Sequence, residues 1–276
     1  IATFALAVFL QAIVNQVNQN LDNTILGIMT NTSIVTVYST ALTLYTCFIS
    51  LVTSLSTMLG PGATKLVAKG ADGEQLTDFA IEPGRIQTMI ALLGILGFAL
   101  IGKEFILLWM GKGFEDVYTI TLILIIPAII PLIESVTNTI LDAMLKRMAR
   151  SMTLIGMCII NVVSSIVFIK LFGYIGAAFG TALSLIVGHG IILNLYLQKK
   201  IGLNIYRLFK SVFKGLLPSF LISFILGSII MKFIPSGSIM WFLIRAFIVV
   251  VIYVITVLLV GMNSEEKNRI KRILRR

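Results

Sequence analysis

The chain has 276 residues, of which 58% are hydrophobic and only 12% charged, with a net charge of +10. A soluble domain of this size needs far more surface charge, so the composition excludes one and defines an all-α polytopic membrane protein. The two cysteines, Cys47 and Cys158, fall inside apolar stretches and read as inert core thiols.

A hydrocarbon core of roughly 30 Å takes about 20 apolar residues per helix. Eight spans are predicted, at 3–29, 35–58, 86–109, 117–143, 149–171, 174–198, 213–233 and 238–261. Turn-forming residues separate them: Thr30 to Ser33, Gly60-Pro61-Gly62, Gly111 to Gly113 and Pro235-Ser236-Gly237. The chain begins at Ile1 without Met or a basic leader, so no signal peptide and an N-terminal truncation are expected. Of the 22 Lys and Arg, seventeen fall on one side of the alternating spans, and only Lys103, Lys112, Lys170 and Lys232 on the other. The positive-inside rule places the first side, with both chain ends, in the cytoplasm. The basic charge is then a topology signal with some attraction to anionic lipid, and no nucleic-acid partner is expected.

In the first span, "NQVNQNLDN" (15–23) holds seven polar residues of nine. At about 100° per residue, Gln11, Asn15, Asn18 and Asp22 fall within roughly 60° of one another. Gln19, Asn23, Gln16 and Asn20 fan out beside them, so about half the helix is polar. Such a face cannot point at lipid. A helix–helix seam usually needs one or two amides, and this density favours the wall of a hydrated cavity.

The fourth span repeats the pattern more narrowly. Pro127, Pro131, Ser135, Asn138 and Asp142 share a side, with Glu134 close by near mid-span. Two prolines four apart predict a kink. Glu134 reads either as an ionisable coupling group able to exchange a proton or as a hydrogen-bonded structural carboxyl. Asp142 is a second ionisable candidate, nearer the cytoplasmic end. His189, between two glycines, reads as a packed polar contact. Gly173, Gly176 and Gly180 read as small-residue helix packing. Segment 199–215 reads either as a basic amphipathic helix on the inner surface or as a solvated loop. Arg245 is expected to snorkel outward. Asn31-Thr32-Ser33 matches a glycosylation acceptor, a pattern frequent by chance. No catalytic, metal or phosphate-loop motif is present, so neither enzyme activity nor a cofactor is expected.

Several segments resemble, in order, bacterial lipid-linked oligosaccharide flippases of the Wzx type, within the MATE-like superfamily. They are "LDNTILGIMTNTSIVTVYSTALTL", "PGRIQTMIALLGILGFALIGKEFILLWMGKGFEDVY", "IIPAIIPLIESVTNTILDAMLKRMARS" and "FGYIGAAFGTALSLIVGHGI". The resemblance implies two six-helix lobes around a central cavity. This chain would supply the second lobe (1–200), followed by a basic segment, two further helices and a basic tail (201–276). It implies a cytoplasmic-membrane transporter that flips undecaprenyl-diphosphate-linked oligosaccharides by alternating access for surface polysaccharide synthesis, with H+ or Na+ as coupling ion. Under that reading Gln11, Asn15, Asn18, Gln19, Asp22 and Asn138 line the cavity. Glu134 and Asp142 are the intramembrane ionisable groups. Arg85, in the Gly-Arg-x-Gln segment, either meets the anionic head group or is a plain inner-side anchor. The alternatives are a cation-coupled multidrug exporter, for which this face is poor in aromatics, and a polysaccharide polymerase, which would need a large outer loop.

Overall fold

A computed structural model describes residues 9, 16, 20–54, 59–263, 266 and 267 (of 147 and 149, the backbone only). Most of the first predicted span lies outside these residues, including Gln11, Asn15, Asn18 and Gln19. The regular elements among the described residues are helices. They are α1 (20–29), α2 (Thr32–Thr53), α3 (Gly60–Ala68), α4 (Gly73–Met110), α5 (Glu115–Ile125), α6 (Ile129–Ala143) and α7 (Arg147–Phe172). After a short turn come α8 (Gly176–Leu185), α9 (Ile205–Phe213), α10 (Leu216–Ile230) and α11 (Ile239–Thr256). π-helical turns carry α8 on through Ile186–Leu193 and Leu197–Ile201, and α11 through Val257–Gly261.

Among the described residues, five stretches are long and apolar enough to cross a membrane, and a sixth forms when α5 and α6 are joined. One of them, Arg150–Ile201, has 52 residues. At 1.5 Å per residue it would measure about 78 Å, more than twice the bilayer core. It folds back at Gly173, whose φ of +67° suits a residue without a side chain, so α7 and α8 are two antiparallel crossings. The arms are close because Gly176 and Gly180 have no Cβ. A methyl there would lie 2.1 Å from the Phe168 carbonyl oxygen and 2.2 Å from Ser165 Oγ. Gly173 is thus the turn, and the other two glycines are the packing pair.

The proline-rich region behaves as its sequence predicts. α5 and α6 meet at a 44° bend, where Pro127 and Pro131 remove backbone donors. The helix α4 is longer than its predicted span. It begins at a capping box: Asp72 Oδ1 accepts from the Gln75 N–H (2.8 Å) and Gln75 Oε1 from the Asp72 N–H (3.2 Å). Its 38 residues give about 57 Å, so its first turns project on the basic side. Along its length α4 joins three hydrophobic clusters. Leu76 and Ala80 pack with Ile133, Ile140 and Leu203. Ile106 packs with Leu26, Ala41 and Val117. Leu92 and Leu96 pack with α10 and α11.

The segment 199–215, left open by sequence, contains α9. Its Leu208 and Val212 are buried in the first of these clusters, and Arg207 pairs with Glu74 and Asp78 of α4. The apolar stripe is thus spent on protein, which neither predicted reading included. Asn31 caps α2 by accepting from the Ile34 N–H at 3.0 Å. Arg245 does not snorkel: it forms an ion pair with Glu104 of α4 and donates to the Met231 carbonyl (3.2 Å).

Candidate functional site

A cavity of about 610 Å³ opens among α1, α2, α6, α7 and α8, a size ordinary for a ligand site. Asn20, Asp22 and Asn23 line it from α1, so the described end of the polar face does border open space. Asn138, Arg150, Asn161, Thr181 and His189 line it from α6, α7 and α8.

Asp22, 2% exposed, gathers donors from three helices. Its carboxylate accepts from Tyr38 OH of α2 (2.8 Å), Thr181 OH of α8 (2.5 Å) and Asn161 Nδ2 of α7 (3.2 Å). Behind it, Ser165 donates to Asn161 Oδ1 at 2.9 Å. Neutral donors thus spread the buried charge over four helices.

Glu134 is fully buried on α6 and lies behind the cavity wall. Its Oε2 sits 2.6 Å from His189 Nδ1, in the π-helical continuation of α8. Its Oε1 has no hydrogen-bond partner. Arg150 and Asn194 are the other polar groups acting on it. His189 lines the cavity, so its ring stands between the cavity and Glu134. The pairing joins residues 55 apart in sequence, and local pattern gave no sign of it. Nearby, Ser135 donates to Gln87 Oε1 of α4 at 2.7 Å. Asn138, 7% exposed, has an Oδ1 without a partner.

Two predicted residues stand elsewhere. Asp142, half-buried one turn beyond Asn138, is absent from the cavity wall and engaged with neighbouring groups. Arg85 is 2% exposed and away from the cavity. Its Nε pairs with Glu266 at 2.7 Å. Its remaining nitrogens donate to the carbonyls of Ser211, Val212, Lys214 and Gly261 and again to Glu266. A guanidinium has five N–H donors, and the chain takes them up. Arg85 therefore has none left for a head group, and it is a clamp joining α4 to the ends of α9 and α11.

The sequence reading also missed the cavity face of α2. Thr32, Thr36, Ser39, Thr43, Thr46, Ser50 and Thr53 recur at alternating spacings of four and three, which keeps them on one side of a helix. The last five line the cavity.

An apolar helical bundle with spans long enough to cross a membrane defines a multi-pass membrane protein, here with a polar cavity among its helices. Residues 1–119 match the family model described as a polysaccharide biosynthesis protein. The fold is similar to that of the lipid II flippase MurJ in its inward closed conformation, with a TM-score of 0.71 at 17% identity. The match covers 90% of this chain and 51% of that one, so the chain spans about half the flippase's length. At that identity the likeness is one of fold. No curated protein matches the sequence. The family model, over residues 1–119, agrees with the polysaccharide-biosynthesis side of the resemblance read from the sequence, and the fold agrees with the helical architecture that it implies.

Proposed function

We propose that this chain forms one lobe of a flippase that carries undecaprenyl-diphosphate-linked oligosaccharides across the bacterial cytoplasmic membrane, by alternating access, for surface polysaccharide synthesis. The observation that carries this reading is the amide- and hydroxyl-lined cavity inside a lipid-facing bundle. Sugars need many neutral donors and acceptors, and amide and hydroxyl side chains supply them. Asp22 and Asn138 belong to the saccharide wall of the described residues. Gln11, Asn15, Asn18 and Gln19, outside the described residues, are assigned to the same wall from the sequence pattern alone. Arg150, an arginine in the cavity wall, takes the head-group role once considered for Arg85, since guanidinium suits diphosphate oxygens. The Glu134–His189 pair is the carboxylate site open to a coupling H+ or Na+. Both chain ends lie in the cytoplasm on this reading, which rests on the distribution of Lys and Arg.

Deleting the full gene tests this. Lipid-linked repeat units should accumulate in the inner leaflet, measured by their inaccessibility to an external sugar-binding probe. Normal surface polysaccharide in the deletion strain would sink the reading.

A further inference from the structure

The α2 face has a chemistry of its own. Thr43, Thr46 and Thr53 donate their hydroxyl hydrogens to carbonyls of their own helix: Ser39 O (2.9 Å), Thr43 O (2.9 Å) and Ile49 O (2.8 Å). Ser39 donates to Asn23 Oδ1 at 3.1 Å. Each hydroxyl has one hydrogen and two lone pairs. With the hydrogens spent in the protein, these four oxygens face the cavity as acceptors. Ser39 to Thr53 is fourteen residues, so the row runs about 21 Å along the helix axis. Asn138 of α6, in the same cavity lining, has an Oδ1 that is also an acceptor without a hydrogen-bond partner.

An acceptor wall selects its occupant. A diphosphate brings only acceptors at its oxygens and would be repelled. An isoprenoid chain brings no donors and would leave the oxygens unsatisfied. Sugar O–H and acetamido N–H groups are donors, and successive rings present them along a line. Arg150 and His189, which carry N–H groups, are on other helices, α7 and the continuation of α8.

We propose that the hydroxyl row of α2, with Asn138 of α6, reads the saccharide of the transported lipid ring by ring and takes no part in holding its diphosphate. This rests on the transport reading above, and it divides the cavity into a sugar side and a phosphate side.

The test uses the full-length protein in proteoliposomes, with undecaprenyl diphosphate carrying either one sugar or four. In the combined variant Thr43→Val, Thr46→Val and Thr53→Val, shape is kept and three acceptors are lost. At about 1 kcal/mol per hydrogen bond, transport of the four-sugar lipid should fall by at least about tenfold more than that of the one-sugar lipid. Serine at the same three positions, which restores the oxygens, should restore the four-sugar rate. An equal fall for both lipids, unrepaired by serine, would mean that the row packs against protein and would overturn the proposal. Unchanged rates for both lipids in the valine variant would overturn it too, while leaving the transport reading standing. An unaltered protein that moves neither lipid would bring down the transport reading, and the sugar side with it.

Discussion

Asp22 and Glu134 are both buried carboxylates beside one cavity, at 2% and 0% exposure, and the fold treats them differently. Asp22 receives three neutral donors from three other helices, which satisfy its buried carboxyl oxygens. Glu134 pairs with His189 and also feels Asn194 and Arg150, and its Oε1 has no hydrogen-bond partner. The first arrangement fixes helices in place. The second sets a carboxyl against an imidazole and leaves one carboxyl oxygen open. Burial alone therefore says little about a membrane carboxyl. What surrounds it decides whether it acts as a fastener or a switch.

The comparison can be broken at several points. Replacing Asp22 with Leu should have the largest effect on stability, because Tyr38, Thr181 and Asn161 would be left aimed at an apolar side chain. At about 1–3 kcal/mol per stranded group, the loss should reach about 4 kcal/mol, read as a large drop in thermal unfolding temperature in detergent. A stable Asp22→Leu protein would show that the cluster is not a fastener.

Glu134→Gln should act on transport more than on stability. Glutamine keeps a hydrogen bond to His189 and removes the proton-exchanging carboxyl, so stability should change by less than about 1.5 kcal/mol. Flux measured from acid to alkaline media should lose its pH response. The same pH profile in the variant as in the unaltered protein would refute the coupling role.

Ser165→Ala is the mildest probe. It removes the donor behind Asn161, one step from Asp22, and should cost about 1 kcal/mol. Since Asn161 still reaches Asp22 directly, transport should be nearly unchanged. A collapse of transport in this variant would make the Asp22 cluster a switch as well.

Much of this architecture was legible before any coordinates. The span pattern, the proline bend between α5 and α6, the close-packing glycines of α8 and the polar end of the first span follow from local rules. Hydrocarbon demands about 20 apolar residues per crossing. Proline breaks the backbone ladder wherever it falls. The capping box at Asp72, the start of the extended α4, was equally local and lay unread in the sequence. So did the four-and-three hydroxyl spacing of α2, masked by threonines that look unremarkable one at a time.

Partnership was not legible. That Glu134 meets His189, that Arg85 is consumed by carbonyls and Glu266, and that Arg245 finds Glu104 all join residues far apart in the chain. An isolated helix wheel shows which face a side chain occupies and nothing of what the neighbouring helix brings to it. The sequence by itself determined that this protein lives in a membrane and that part of its first helix could not face lipid. Only the tertiary structure decided which charged groups hold the bundle together and which stand at the cavity, because buried charges are settled by long-range pairing and not by local periodicity.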